Sequence, residues 1–496
     1  MPFRDLRAFL ADLDDRGDLR TLSDPVEPRF ELGAIARLAC ETYGPAVLFD
    51  SLVGHPEFRA TAAFQSYSSD ADHPMSRIAR SFGLPADSKG YQIVDHLSRI
   101  DAADSVPPTL VKDAPVQEHI VRDRDGLLDY LPVPHLHPGD GGPYVNTIGF
   151  FVMESPDRDW VNWSVARAMK LDGNRFVGMT ANNQHIGMLR EKWDAIRDTI
   201  PFALVLGADP VTTFIAGSPV AKFGESEVGV IGGLLGQALE VVECVTSPLR
   251  VPAHAEIVIE GYLDLTESAN EGPMAEYHGY IDRLTNTQGA PTFGVYHVTA
   301  VTHRTNAIYP SVAAGKPVDE DHTLTGPGIA AVCLRAYRAA GLPVAKAWMV
   351  HESANHLLAL TLTDDWATKH PDSAELFEQI VHTTKGLTHE AYWVQRILVT
   401  NDDIDPTSTS DLWWAYATRS RPGDGSTVFE GVPIMPLSPM VNTVEERLKG
   451  IGRIELLNCL IPPEVDEMSP TSAALRESYS AELVELARSR YLGSAE

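Results

Sequence analysis

The stretch Asn270–Tyr280, NEGPMAEYHGY, sets two carboxylates, Glu271 and Glu276, on either side of a Gly272–Pro273 pair, with His278 and two tyrosines close behind. The Gly-Pro pair restricts the turn. Two acids held near one another need a cation between them, or one must keep its proton. An arginine pairing with one acid would keep it ionised. A desolvated neighbour could then hold a proton near neutral pH and donate it. Read alone, the stretch is more simply an exposed acidic turn.

Three further stretches carry residues with chemical potential. In WVNWSVARAMKLDG, Trp160–Gly173, a strand would put Asn162, Ser164, Ala166 and Ala168 on one face and Val161, Trp163, Val165 and Arg167 on the other. Arginine among such neighbours is expensive unless paired; on the strand alone, an arginine reaching solvent at the strand end is the plainer reading. TANNQHIG, Thr180–Gly187, runs into a helix start, where small and amide residues suit anion binding by backbone N–H groups. A lone His185 would ordinarily be structural. KFGESEVG offers Glu225 and Glu227 ahead of a glycine-rich apolar helix, each by itself a solvated charge or a helix N-cap.

Other motifs fail on spacing. In HESANH, His351 and His356 are five apart and diverge by about 140° on a helix, whereas zinc-protease histidines four apart share a face. No GxxxxGK[ST] or GxSxG occurs, and GVIGGLLG lacks the GxGxxG order. Cys40, Cys244, Cys333 and Cys459 are far apart in apolar company and read as reduced core residues.

The elements that must position these residues fall into three segments. At 496 residues, length alone suggests roughly two to four domains. Residues 1–115 mix helices, among them ELGAIARLACETYG, with the strand AVLFDSL, and end in an Asp- and Pro-rich linker. Residues 116–310 are dominated by β-branched and aromatic strands, interrupted by the helix GMLREKWDAIRDT, which suggests a barrel or sandwich. A linker at 311–330 leads into an alternating α/β segment at 331–470, closed by an amphipathic helix over 471–496. The N-terminal MPFRDLRAFLADLDDRG is charged where a signal peptide is apolar and reads as a helix of the fold. No apolar run reaches a membrane span. Acids outnumber bases 68 to 40, a formal charge of −28 that disfavours nucleic acid and anionic membranes as partners. The expectation is a cytoplasmic α/β (mixed α+β) protein.

Taken together, NWSVARAM, QHIG, GESEVG, EGPMAEYHGY, DEDHTLTG and ILVTNDDID stand in the order and spacing of the UbiD-like decarboxylases. The chain resembles, over nearly its whole length, the branch that includes ferulic acid decarboxylase and the heteroaromatic carboxylate decarboxylases. The resemblance implies a central split β-barrel like that of flavin reductases and a C-terminal α/β domain through which members form dimers or hexamers, with a homodimer the expectation here. It implies prenylated FMN, supplied by a flavin prenyltransferase, with Mn²⁺ or Mg²⁺ and K⁺ at the cofactor phosphate. Asn162, His185 and Glu225 would be the metal ligands, a mixed and fairly hard set suited to those ions. Asn162, Trp163, Ser164, Val165, Ala166 and Arg167, with Gln184 and His185, would line the cofactor. Arg167, Glu271 and Glu276 match the family's Glu–Arg–Glu network. Arg167 would hold the substrate carboxylate and pair with Glu271, and Glu276 would protonate the carbon that loses CO₂.

Two departures bear on this. Relatives place a lysine near the cofactor phosphate; here His389 stands at that position and Lys385 is offset. The residue after the proton donor is Tyr277, where ferulic-type members have methionine, which points to an indole-, pyrrole- or larger heteroaryl-carboxylate. Thr325, Val432 and Ile434 fall where the family lines its substrate pocket. The rival reading is a non-catalytic flavin-binding or flavin-maturation protein, against which the intact Arg167–Glu271–Glu276 set argues.

Overall fold

The computed structural model describes residues 3–492 except 101–103, 123, 179–184, 195, 223, 282–291, 462–464 and 466–471. The N-terminal layer begins with the helix Leu6–Asp15, whose Leu6, Phe9, Leu10 and Leu13 are buried and whose start is capped by the Asp5 side chain. The strands Leu19–Leu22, Ala46–Phe49 and Phe58–Ala62 form a small sheet. Its fourth strand, Ala307–Pro310, comes from far along the chain and pairs in parallel with Phe58–Ala62. The chain therefore re-enters the N-terminal layer just ahead of Val312 and Ala314, which line the cavity described below.

The middle of the chain forms one nine-stranded sheet. Phe151, Phe176, Phe202 and Tyr296 fill its interior, with the rings of Phe176 and Tyr296 stacked at 4.8 Å. The sheet is split. Val161–Val165 lies at one end of the hydrogen-bonded order, and Ala168–Lys170 lies next to Tyr144–Asn146 at the other. Only Ala166 and Arg167 join them, so Arg167 stands at the seam and not within a continuous strand. The alternation drawn through Trp160–Gly173 stops there.

The C-terminal segment is a five-stranded sheet in the order Val344–Met349, Leu357–Leu362, Arg396–Asn401, Ile451–Cys459, Ser426–Pro433. Its middle three strands are parallel and its outer pairs antiparallel. Two expectations are corrected. Much of the 311–330 linker belongs to the helix Glu320–Ala339, which runs through Gly326, Pro327 and Gly328. Gly and Pro are poor helix formers, but tertiary packing overrides the local signal. A Cβ on Gly328 would come within 2.7 Å of Ser218, and one on Gly326 within 2.8 Å of His351 and Asn355. The C-terminal helix is also broken, into Leu475–Ser478 and Ala481–Leu492.

All four cysteines are free and buried. Among the described residues no helix is long and apolar enough to cross a membrane.

Candidate active site

A cavity of about 270 Å³ lies where the three segments meet. One of its walls is the edge strand Val161–Val165, and Asn162 through Arg167 all face the cavity. Behind this strand, Glu227 opens the helix Glu227–Leu235 and is 3% exposed. Its carboxylate accepts from Asn162 Nδ2 at 2.9 Å and from the Trp163 backbone N–H at 3.0 Å. His185, the first residue of the helix His185–Asp194, brings Nδ1 to 3.9 Å from the same carboxylate. Asn162 Oδ1 is buried with no hydrogen-bond partner among the described residues. An orphaned amide oxygen, a carboxylate and an imidazole gathered at one end of a cavity make a donor set that fits a hard divalent cation.

One expected ligand stands apart from this group. Glu225 does not reach the group, because its carboxylate accepts from the Lys222 backbone N–H at 3.1 Å in the preceding turn. Glu227, two residues on and in the first turn of the helix, stands in its place. Of the expected cofactor contacts, Gln184 lies outside the described residues. His389 lines the cavity, whereas Lys385 turns away and donates to the Glu430 carbonyl at 2.8 Å.

Across the cavity, Arg167 is held by both acids of the opening stretch. Nη2 donates to Glu271 at 2.7 Å, and Nη1 donates to Glu276. Glu271 is fully buried, and its second oxygen accepts from the Tyr144 hydroxyl at 2.6 Å. Burial and the Glu271 charge push the Tyr144 phenol well above its ordinary value, so it remains a donor at any working pH. Glu276 is 8% exposed and lines the cavity, which Glu271 does not.

The turn that carries the acids is clamped from beneath. The Ala275 N–H donates to Asp140 Oδ1 at 2.9 Å, and the Gly141 N–H to the Pro273 carbonyl at 2.7 Å. A Cβ on Gly141 would sit 2.0 Å from the Gly272 carbonyl oxygen, so only glycine permits this approach. Sequence reasoning missed Asp140, Gly141 and Tyr144. The run HPGDGG, with an acid between glycines, was the available signal.

The far wall comes from the C-terminal segment. Tyr277 is buried; its ring lies 4.4 Å from that of Trp393, and its hydroxyl pairs at 2.8 Å with Ser438 Oγ, which also meets His356 Nε2 at 2.7 Å. Burial pushes the His356 imidazole down to about 4, so the ring stays neutral in this network. Thr325 lines the cavity as expected, but Val432 and Ile434 do not. Val432 is still paired with Gly452 in its strand, and Ile434 packs against Gly452. The chain reaches the cavity one residue later, with Met435 and Leu437.

A split sheet, a corner of Asn162, His185 and Glu227, and an arginine between two acids thus meet at one cavity. Three family models match in register: the N-terminal domain of 3-octaprenyl-4-hydroxybenzoate carboxy-lyase at residues 10–97, its Rift-related domain at 109–317 and its C-terminal domain at 322–453. The chain is 36% identical over 485 residues to the pyrrole-2-carboxylic acid decarboxylase of Pseudomonas aeruginosa, covering 97% of this chain and 96% of that one. It is 33% identical over 465 residues to ferulic acid decarboxylase 1 of Saccharomyces cerevisiae, covering 92% of each. Among solved structures, the UbiD-class enzyme HmfF from Pelotomaculum thermopropionicum in complex with FMN superposes with a TM-score of 0.81 at 24% identity, over 97% of this chain and 99% of that one. An evolved dimeric form of HmfF with prenylated FMN superposes with a TM-score of 0.76 at 25% identity, over 93% of this chain and 96% of that one. The chain belongs to the UbiD family and is an enzyme of the carboxy-lyase class.

Proposed function

We propose that the protein is a prenylated-FMN-dependent, reversible decarboxylase of a heteroaromatic carboxylic acid of the pyrrole or indole type. The observation that carries this reading is Arg167, held at the cavity wall between a fully buried acid and a cavity-facing one. Asn162, His185 and Glu227 would hold Mn²⁺ or Mg²⁺ and, through it, the cofactor phosphate, with K⁺ alongside. Prenylated FMN supplies the acceptor for the electron pair released as CO₂ departs.

The protein's own residues do the rest. Arg167 orients the substrate carboxylate, because its guanidinium plane is fixed at two corners. Glu271 takes hydrogen bonds from Arg167 and Tyr144 and so holds the guanidinium in place. Two carboxylates around one guanidinium leave an excess negative charge, which a proton on Glu276 relieves. That proton passes to the ring carbon as the carboxylate leaves as CO₂, so the acid is replaced by a C–H bond and charge balances. Val165, Met435 and the rings of Tyr392 and Trp393 exclude water around the reacting atoms.

Tyr277 supports a heteroaryl acid over a cinnamic one. Its ring, braced by Trp393 and Ser438, offers a flat apolar wall. The test is CO₂ release by protein co-produced with a flavin prenyltransferase, across pyrrole-, indole- and cinnamic-type acids. Preference for cinnamic acid in direct competition overturns the substrate class, and no release from any unsaturated acid overturns the activity. We propose further that the protein is a homodimer through its C-terminal segment. There Trp413 (68%), Met440 (68%) and Leu448 (79%) are exposed, large apolar side chains that a monomer would leave in water. Light scattering at twice the chain mass is the expected result.

A further inference from the structure

Asp321 is the second residue of the helix Glu320–Ala339, and its half-buried side chain lines the cavity one helical turn from Thr325. Its backbone groups are engaged: the N–H donates to Asp319 Oδ1 at 3.2 Å, and the carbonyl accepts from the Thr325 hydroxyl. Its carboxylate makes no hydrogen bond or ion pair within the protein among the described residues. The donors around it are spent elsewhere. His322 turns Nδ1 to Asp319 at 2.9 Å and Nε2 to the Tyr277 carbonyl at 2.7 Å. The Tyr277 hydroxyl is taken by Ser438, and Asn355 Nδ2 by the Thr325 hydroxyl at 2.9 Å. An acid left without a partner on the wall of an aromatic cavity is costly, unless what enters the cavity supplies the donor.

Resting on the decarboxylase reading above, we infer that Asp321 is a specificity-determining residue that selects acids carrying a ring N–H. The carboxylate of Asp321 accepts that N–H while Arg167 holds the substrate carboxylate. The ionised carboxylate carries this selection, since it can only accept, whereas a protonated acid could also donate to a ring oxygen. A furan ring of the same size offers a lone pair in place of the donor and leaves the acid unpaired, so it is rejected.

The experiment compares pyrrole-2-carboxylate with furan-2-carboxylate as competing substrates of the holoenzyme, in the wild type, Asp321→Asn and Asp321→Leu. Flavin absorbance and thermal unfolding report that each variant is folded and loaded. The wild type should favour the pyrrole acid by about 10- to 100-fold in kcat/KM, the range of one hydrogen bond to a charged group. Asp321→Asn can turn its amide N–H to a ring oxygen as readily as its oxygen to a ring N–H, and should lose most of the preference. Asp321→Leu should bring the ratio to within about threefold of unity. A wild-type ratio in the leucine variant, or a furan preference in the wild type, overturns the inference. If the wild type turns over neither acid, the decarboxylase reading fails separately. The N–H preference is then read from the shift in unfolding temperature that each acid gives, and equal shifts in wild type and Asp321→Leu overturn it.

Discussion

Arg77 and Arg167 are both held by carboxylates away from bulk water, with side chains 0% and 10% exposed. Arg77 meets one acid. Nε and Nη2 donate to Asp18 at 2.7 and 2.5 Å, and the remaining donors go to the Ala63 and Gly44 carbonyls at 2.6 and 3.1 Å. Asp18 is completed by Ser68 and Ser69. Charge is balanced one to one and the cluster is closed by backbone. Arg167 meets two acids, and it and Glu276 border a cavity. Its excess acid and open side are what a structural pair avoids and a proton-donating site requires.

The largest expected effect breaks the open cluster. Glu276→Gln keeps size and hydrogen bonding but removes the mobile proton. It should lower turnover by about 10²- to 10⁴-fold while flavin stays bound, and deuterium should no longer enter product from D₂O. Turnover and exchange at wild-type rates would move the proton donor elsewhere, with His278 the next candidate.

The second variant pair tests the corner that would anchor the cofactor. Glu227→Gln should lose bound metal, read by elemental analysis, and flavin with it. Glu225→Gln should keep both, since the Glu225 carboxylate is engaged by the turn at Lys222. The reverse outcome would restore Glu225 as the ligand.

That difference shows where the sequence stops being legible. Arg167, Glu271 and Glu276 could be matched because each lies in a long motif of fixed length. In GESEVG two acids stand two residues apart, and the choice depends on where the helix starts, a boundary that pattern reading leaves loose by a residue or more. Strand types were readable from β-branched runs, which left barrel and sandwich open; the split barrel came with the family resemblance. The start of the helix Glu320–Ala339, ahead of Gly328, was not readable, because Gly326 and Gly328 are set by contacts with His351 and Ser218, remote in sequence. Val432 and Ile434 failed for a similar reason. A strand end decides which residues reach the cavity, and the pattern does not reveal that end. Arg77, in SRIARS, carries no sequence mark separating it from a solvated helix arginine.

Breaking the closed cluster should cost stability. Asp18→Asn leaves Arg77 buried without its countercharge and should destabilise the fold by about 3–5 kcal/mol in denaturant titration. Turnover per folded, flavin-loaded enzyme should be unchanged. Burial alone would raise the Asp18 carboxyl, but the Arg77 hydrogen bonds and charge outweigh it and hold the group below its ordinary value. With the folded value depressed, its stabilisation is fully present above the unfolded value of about 3.9 and is lost as pH falls through the folded one. Wild-type stability should therefore decline below about pH 4 more steeply than that of Asp18→Asn.

The smallest effect sharpens the comparison most, because the same deletion is made in both clusters. Tyr144→Phe removes the hydroxyl that donates to Glu271 at 2.6 Å, and Ser69→Ala removes the one that donates to Asp18 at 2.6 Å. Each leaves a carboxylate oxygen short of one donor, and each should cost about 1–3 kcal/mol in stability. Only the first should also reach the chemistry. Among the described residues, Glu271 without Tyr144 has Arg167 as its remaining side-chain donor, and the guanidinium is drawn towards it and away from Glu276. The proton on Glu276 is then less well placed, and turnover should fall roughly tenfold, with the loss in kcat and little change in flavin content. Ser69→Ala should leave kcat alone, because Asp18 still takes two bonds from Arg77 and one from the Ser69 backbone N–H. Equal kcat values in the two variants would mean that Tyr144 supports the fold at Glu271 and nothing more, and Arg167 would then be positioned by the seam of the barrel alone.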